Sequence, residues 1–170
     1  NIVVTNGDIK GKEYTGGIFG VINANGKTTL KDIEFSGDVN LYFDSFEYVG
    51  GVASSATSSS SLTVTNVLGV KGSVGNSKYC SGGTFGYIKG ANINFTKEMD
   101  NSELNVSGME NVGGLYGYTE DCNISNAVNK ANVKTLKSGS KVSTDTGGVV
   151  GFSKNSSFTR CKNYGTITVV

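Results

Sequence analysis

Side chains able to make or break bonds are sparse in this sequence. It has no histidine among 170 residues, so a serine or cysteine nucleophile has no imidazole base and a zinc site built on imidazole is excluded. The three cysteines, Cys80, Cys122 and Cys161, form no Cys-x-x-Cys pair. Their odd number leaves at least one thiol unpaired; a bridge between Cys80 and Cys122 stays open, and Cys161 reads as a small buried residue. Paired carboxylates, the machinery of glycoside cleavage, occur at Asp44 with Glu47, at Glu98 with Asp100 and Glu103, and at Glu120 with Asp121. None recurs at a constant position along the chain, so these acids read as solvated loop charges. The 98–103 acids lack the Asp-x-Asn-x-Asp-Gly loop of a calcium site. The expectation is a chain without catalytic residues, metal or cofactor, and therefore not an enzyme. The alternative is a fragment of a polysaccharide-active β-helix enzyme.

The residues best suited to contacting a ligand are aromatic. Four of the sixteen rings, Tyr42, Phe43, Phe46 and Tyr48, fall within seven positions beside Asp44 and Glu47. Tyr42, Phe46 and Tyr48 are the candidate contacts to a host protein or a glycan, since exposed rings can stack on sugar faces or anchor a protein. The competing reading has Phe43 and Phe46 filling the interior.

Whatever positions these residues is periodic. Gly-Gly returns at Gly16-Gly17, Gly50-Gly51, Gly82-Gly83, Gly113-Gly114 and Gly147-Gly148, at intervals of 34, 32, 31 and 34 residues. Such periods mark repeats that cannot bury an apolar face alone and must stack to make a core. An offset of 34 aligns residues 113–133 with 147–167 without a gap, placing Ile124 on Phe158, Ala127 on Cys161, Ala131 on Gly165 and Val133 on Ile167. With a three-residue insertion, repeat one puts Leu30, Ile33, Gly37 and Val39 in the same slots, and repeat three offers Ile93 before its pattern loosens over 97–105. Each repeat holds three short strand-like segments, in repeat five 148–152, 158–162 and 166–170, separated by corners rich in Asn, Gly and Ser. The predicted fold is all-β: a repeat solenoid, a parallel β-helix of about five glycine-marked coils spanning residues 1–170 as one domain. Packed antiparallel hairpins are the alternative.

A second glycine follows three residues after the first strand begins, at Gly17/Gly20, Gly83/Gly86, Gly114/Gly117 and Gly148/Gly151, and rings or aliphatics flank it: Phe19 and Val21, Phe85 and Tyr87, Tyr116 and Tyr118, Val150 and Phe152. In-register stacking turns these into ladders, read as packing in the first instance. The pattern resembles the GLUG motif, a glycine-rich repeat of bacterial cell-surface proteins that include some IgA-cleaving metallopeptidases. Its carriers are Gly114-Leu115-Tyr116-Gly117-Tyr118 and Gly148-Val149-Val150-Gly151-Phe152, with weaker copies at Gly17-Ile18-Phe19-Gly20 and Gly83-Thr84-Phe85-Gly86. Repeat two departs from it, reading Gly51-Val52-Ala53-Ser54. The resemblance implies an extracellular, secreted or surface-anchored adhesive module beside other domains of a parent protein; no His-Glu-x-x-His protease site accompanies it.

A net charge of +1 with charges spread thinly argues against nucleic acid, and the absence of a long apolar run argues against direct membrane insertion. The strand-like sequences at both termini are those expected of a slice from a longer protein. Ser54–Ser61 and 134–146 read as protruding loops. An ice-binding face would need repeated Thr-x-Thr, found here only at 63–65 and 166–168.

Overall fold

The computed structural model describes residues 2–41, 47–136 and 144–170. The chain is all-β, a parallel β-solenoid of about five turns. Every strand pairing among the described residues is parallel, so antiparallel hairpins are not what forms.

The glycine marks set the register. Thr15–Gly16, Tyr48–Gly50, Cys80–Gly82, Glu110–Gly113 and Thr144–Gly147 lie side by side, with the first glycine of each pair in one column. There the chain turns sharply, and a methyl group on any of these glycines would land on the carbonyl oxygen three residues ahead. On the second glycine it would meet the carbonyl of the next coil's second glycine at Gly17, Gly51, Gly83 and Gly114. The pair is required by space: two backbones cross where no side chain fits.

Beyond the corner, Phe19, Ala53, Phe85, Tyr116 and Val150 form one inward column. Leu30, Val64, Ile93, Ile124 and Phe158 form a second. Val39, Val74, Val106, Val133 and Ile167 close the coil, with Ile9 above them. The slots expected from sequence are therefore the stacked ones. Ile124 and Ala127 are buried in a continuous apolar core that also holds Phe35, Phe85, Leu104 and Leu115. Phe158 occupies the same column as Ile124 yet is 38 % exposed, because it belongs to the last coil and has a neighbour on one side only.

Corners repeat as faithfully as strands. Asp32, Asn66, Asn126 and Arg160 all have φ between 52° and 58°, the left-handed region that Asn and Asp tolerate best. This column splits the segment expected at 158–162 into Ser157–Thr159 and Lys162–Asn163. The segment expected at 148–152 begins instead at Val150, after the glycine corner. The last two coils thus have five short segments each, two more than the apolar pattern alone suggests, whereas in the first three the segments merge into longer strands such as Lys27–Leu41 and Ala53–Ser77.

Two connections depart from expectation. Ser54–Ser61 is no loop but part of the strand Ala53–Ser77. Ser55, Thr57 and Ser58 stand opposite Val21, Asn23 and Ala24, Ser54 and Ser55 are buried, and the Ser58 hydroxyl donates to the Ala24 carbonyl at 3.3 Å. Serine is small enough to pack where its neighbours carry Val or Ala, and stacking decides the conformation over composition. Lys134 lies in the strand Asn132–Thr135, while 137–143 lies outside the described residues. The clear excursion is 95–102, which leaves the strand path before Glu103–Gly108 rejoins it.

Candidate functional site

Tyr42 and Phe46 lie outside the described residues; Tyr48 lies at the centre of a run of rings. Its ring centroid is 5.6 Å from Tyr14, 5.5 Å from Tyr79 and 5.4 Å from Tyr87. Tyr87 continues to Tyr118 at 5.1 Å, and Tyr118 to Phe152 at 5.0 Å. The strip crosses all five coils on the outside of the solenoid. Regular alternation would put Tyr87, Tyr118 and Phe152 on the same face as Phe85, Tyr116 and Val150, two positions earlier, but it breaks at the intervening Gly86, Gly117 and Gly151: Phe85 and Tyr116 are fully buried, whereas Tyr87 and Tyr118 are half-buried and Phe152 is exposed. Phe85 and Tyr116 stack inside at 6.3 Å and 15°.

Tyr14 and Tyr48 reach the strip from before the corner, each two residues ahead of its Gly-Gly. Tyr79 arrives from just before Cys80–Gly82. The sequence pattern Tyr-x-Gly-Gly in repeats one and two is the signal that would have joined Tyr48 to Tyr14. Tyr14 is 45 % exposed, Tyr79 37 % and Phe152 40 %, and the rings between them are half-buried. Centroids at 5.0–5.6 Å with interplanar angles from 34° to 88° lie within the favourable range for aromatic pairs, each such pair adding about 0.5–1.5 kcal/mol beyond area burial. The strip is held as a unit.

A charged node sits on its flank. The Glu120 carboxylate accepts hydrogen bonds from Lys154 Nζ at 3.0 Å, Lys89 Nζ at 3.2 Å and the Tyr87 hydroxyl at 2.8 Å. These residues come from three successive coils, Lys89, Glu120 and Lys154 occupying one column. The Lys154 ammonium first, then Tyr87 and Lys89, hold the Glu120 carboxyl down at about 2. Burial raises the Tyr87 phenol, with Glu120 adding to the effect, and burial pushes Tyr48 up to about 12. Because the folded carboxyl lies below its ordinary 4.5, this node stabilises the fold fully above that pH and loses its contribution as pH falls towards 2. Melting wild type and Glu120→Gln from pH 7 to pH 2.5 should show wild type losing more stability on acidification; parallel curves would contradict the assignment.

Four of the six remaining candidate acids are faced by lysine. Glu98 and Asp100 lie 3.2 and 3.8 Å from Lys130, Glu103 lies 2.6 Å from Lys71, and Asp121 lies 3.9 Å from Lys89. Glu47 stands beside Tyr14, whose phenol it raises, and Asp44 is outside the described residues. Among the described residues no three His, Cys, Asp or Glu side chains gather to hold a metal ion. Cys80, Cys122 and Cys161 are all free. The first two lie in different stacks, Cys80 opposite Tyr48 and Cys122 beside the strand Asn123–Ser125. Burial pushes the Cys80 thiol up to about 12, which makes it an unreactive core residue at neutral pH.

A second outward surface follows the next corner. Around the inward column from Val64 to Phe158, the coils present Thr63 and Thr65, Asn92 and Asn94, Asn123 and Ser125, and Ser157 and Thr159 in register. Comparison with protein-family models, curated proteins and solved structures finds no match for this chain.

Proposed function

We propose that this chain is a non-catalytic recognition module of a secreted or surface-anchored protein, engaging a host protein or a glycan through the ring strip from Tyr14 to Phe152. The observation that carries this reading is six rings from five coils held in line on the outside of a rigid stack. Aromatic side chains supply large contact area at low conformational cost, and the flanking Glu120, Lys89 and Lys154 supply polar contacts at the rim. The backbone pairs from coil to coil, as in the hydrogen bonds Ile18 N–H to Val52, Val52 N–H to Thr84, Thr84 N–H to Leu115 and Leu115 N–H to Val149, at 2.8–3.1 Å. That pairing fixes the strip before any ligand arrives.

The test is a panel of immobilised glycans and matrix proteins probed with wild type and with Tyr48→Ala/Tyr118→Ala. The expected result is a ligand whose affinity falls at least about tenfold in the double variant, a loss typical of central aromatic anchors, with the circular dichroism unchanged. Equal binding by both proteins would remove the strip from the account, and silence across the panel would remove adhesion.

A further inference from the structure

The surface beyond the Glu120 corner has a chemistry of its own. In four consecutive coils the residues on either side of the inward column are Thr, Asn or Ser, and none of the eight is charged. Charge surrounds the patch on both flanks, with Lys89, Glu120, Asp121 and Lys154 on one side and Asp32, Lys97 and Arg160 on the other. Together the two columns border a shallow groove whose bottom is the backbone at Ile93 and Ile124, the side chains of both being buried in the core.

The lining is pre-set. Asn123 Nδ2 donates to Asn92 Oδ1 at 3.0 Å, Ser157 Oγ to Asn123 Oδ1 at 2.8 Å, and Ser125 Oγ to Asn94 Oδ1 at 2.8 Å. These bonds run along the solenoid axis and fix the rotamers. On this outward face Asn92 and Thr159 are exposed and Thr63, Thr65 and Asn94 half-buried, a row of amide and hydroxyl donors and acceptors. Orientation is thereby settled before binding, which lowers the ordering cost of recognition.

We infer that this groove binds a neutral, unbranched β-linked polysaccharide lying along the solenoid axis. Amide and hydroxyl groups both donate and accept, as sugar hydroxyls do, and an uncharged groove between charged flanks favours a ligand that carries no charge. The rungs repeat at ~4.8 Å, close to the advance per sugar of an extended β-1,4-linked chain, so each rung meets an equivalent part of the next residue. From Thr63 to Ser157 the groove runs three rungs, about 14 Å, room for roughly three or four sugars. A protein partner fits less well, because interface cores favour rings and arginine over such a lining. The inference shares only the non-catalytic reading with the ring-strip proposal and stands separately from it.

The experiment is co-sedimentation of the chain with microcrystalline cellulose and with chitin, using wild type, Asn92→Asp/Asn123→Asp, Thr65→Val and Tyr118→Ala. Expected is binding to at least one of the two, at least about tenfold weaker in the double Asp variant, weaker in Thr65→Val, and less affected in Tyr118→Ala than in either groove variant. Thr65→Val keeps the shape of the side chain, so it separates loss of the hydroxyl from loss of the fold. Absence of binding to both polysaccharides, or binding that survives the Asp and Val changes, would overturn the inference. So would binding lost in Tyr118→Ala and retained in the groove variants, which would transfer the ligand to the ring strip. Inhibition of ice-crystal growth without polysaccharide binding would likewise overturn it, reassigning the lattice to ordered water.

Discussion

Replacing Gly113 by alanine should cost at least about 3 kcal/mol, more than an ordinary overpacked core site. The added methyl would land on the Tyr116 carbonyl oxygen, with the Gly151 nitrogen 2.6 Å away and the Tyr116 carbonyl carbon 2.8 Å away. All three are backbone atoms, so no side chain can swing aside to relieve the clash. The chain can respond only by opening the corner, which pulls Glu110–Gly113 away from both Cys80–Gly82 and Thr144–Gly147. For a chain of this size the melting temperature should fall by about 6–12 °C. Gly26→Ala is the control, since nothing lies within 4 Å of its added methyl; it should stay within about 0.5 kcal/mol of wild type. Thermal melts of the three proteins check this, and equal melting temperatures would mean that the glycine pair is not a crossing of backbones.

The second large loss is expected from Asn129→Ala. Asn129 is fully buried, and each side-chain atom that can bond does so. Its Oδ1 accepts from Asn101 Nδ2 at 2.9 Å and from the Ala131 N–H at 3.2 Å, and its Nδ2 donates to Asn163 Oδ1 at 2.8 Å and to the Ala131 carbonyl at 3.1 Å. Asn101 is itself fully buried and in turn accepts from the Lys130 N–H at 2.7 Å. Alanine would strand the Asn101 amide and the Ala131 N–H and leave a cavity, a loss of about 3 kcal/mol or more. The column also explains one glycine, because a methyl on Gly114 would collide with the Asn129 amide. Asn132, exposed and linked to Asn105 only at 3.4 Å, should tolerate alanine within about 0.5 kcal/mol. Denaturant melts that give both substitutions the same small effect would show that the buried amides do not hold the coils together.

What could be read beforehand follows from how stacking writes itself into sequence. Ile124 over Phe158 and Val133 over Ile167 are legible because a gapless offset of one coil is the stacking itself. Leu30, Ile33 and Val39 follow once the insertion in repeat one is allowed for. Ser54–Ser61 misleads because serine-rich composition suggests a loop, whereas register with Val21 and Tyr87 imposes a strand. The 95–102 excursion has no apolar period and so no visible path. Of the candidate site, the halves were readable apart: Tyr87, Tyr118 and Phe152 as one ladder, Tyr48 as one member of a crowded segment. Their meeting depends on how far the corner folds back, which no local pattern encodes. The polar columns of the second surface were hidden for a related reason. Thr, Asn and Ser substitute for one another there, so the motif exists in three dimensions without a repeated word in the sequence.

The central claim, that glycine-marked coils lie directly over one another in parallel register, can be tested with cysteine pairs in a background of Cys80→Ala, Cys122→Ala and Cys161→Ala. Ser125 and Thr159 are stacked partners on adjacent rungs, a separation of ~4.8 Å that suits a disulfide. Ser125 and Ser157 are two residues out of step, roughly 8 Å apart and beyond reach of one. Mild oxidation should close the bridge within the monomer for Ser125→Cys/Thr159→Cys and leave Ser125→Cys/Ser157→Cys reduced. A 125–159 pair that stays open, or two pairs that close equally well, would contradict the stacked solenoid.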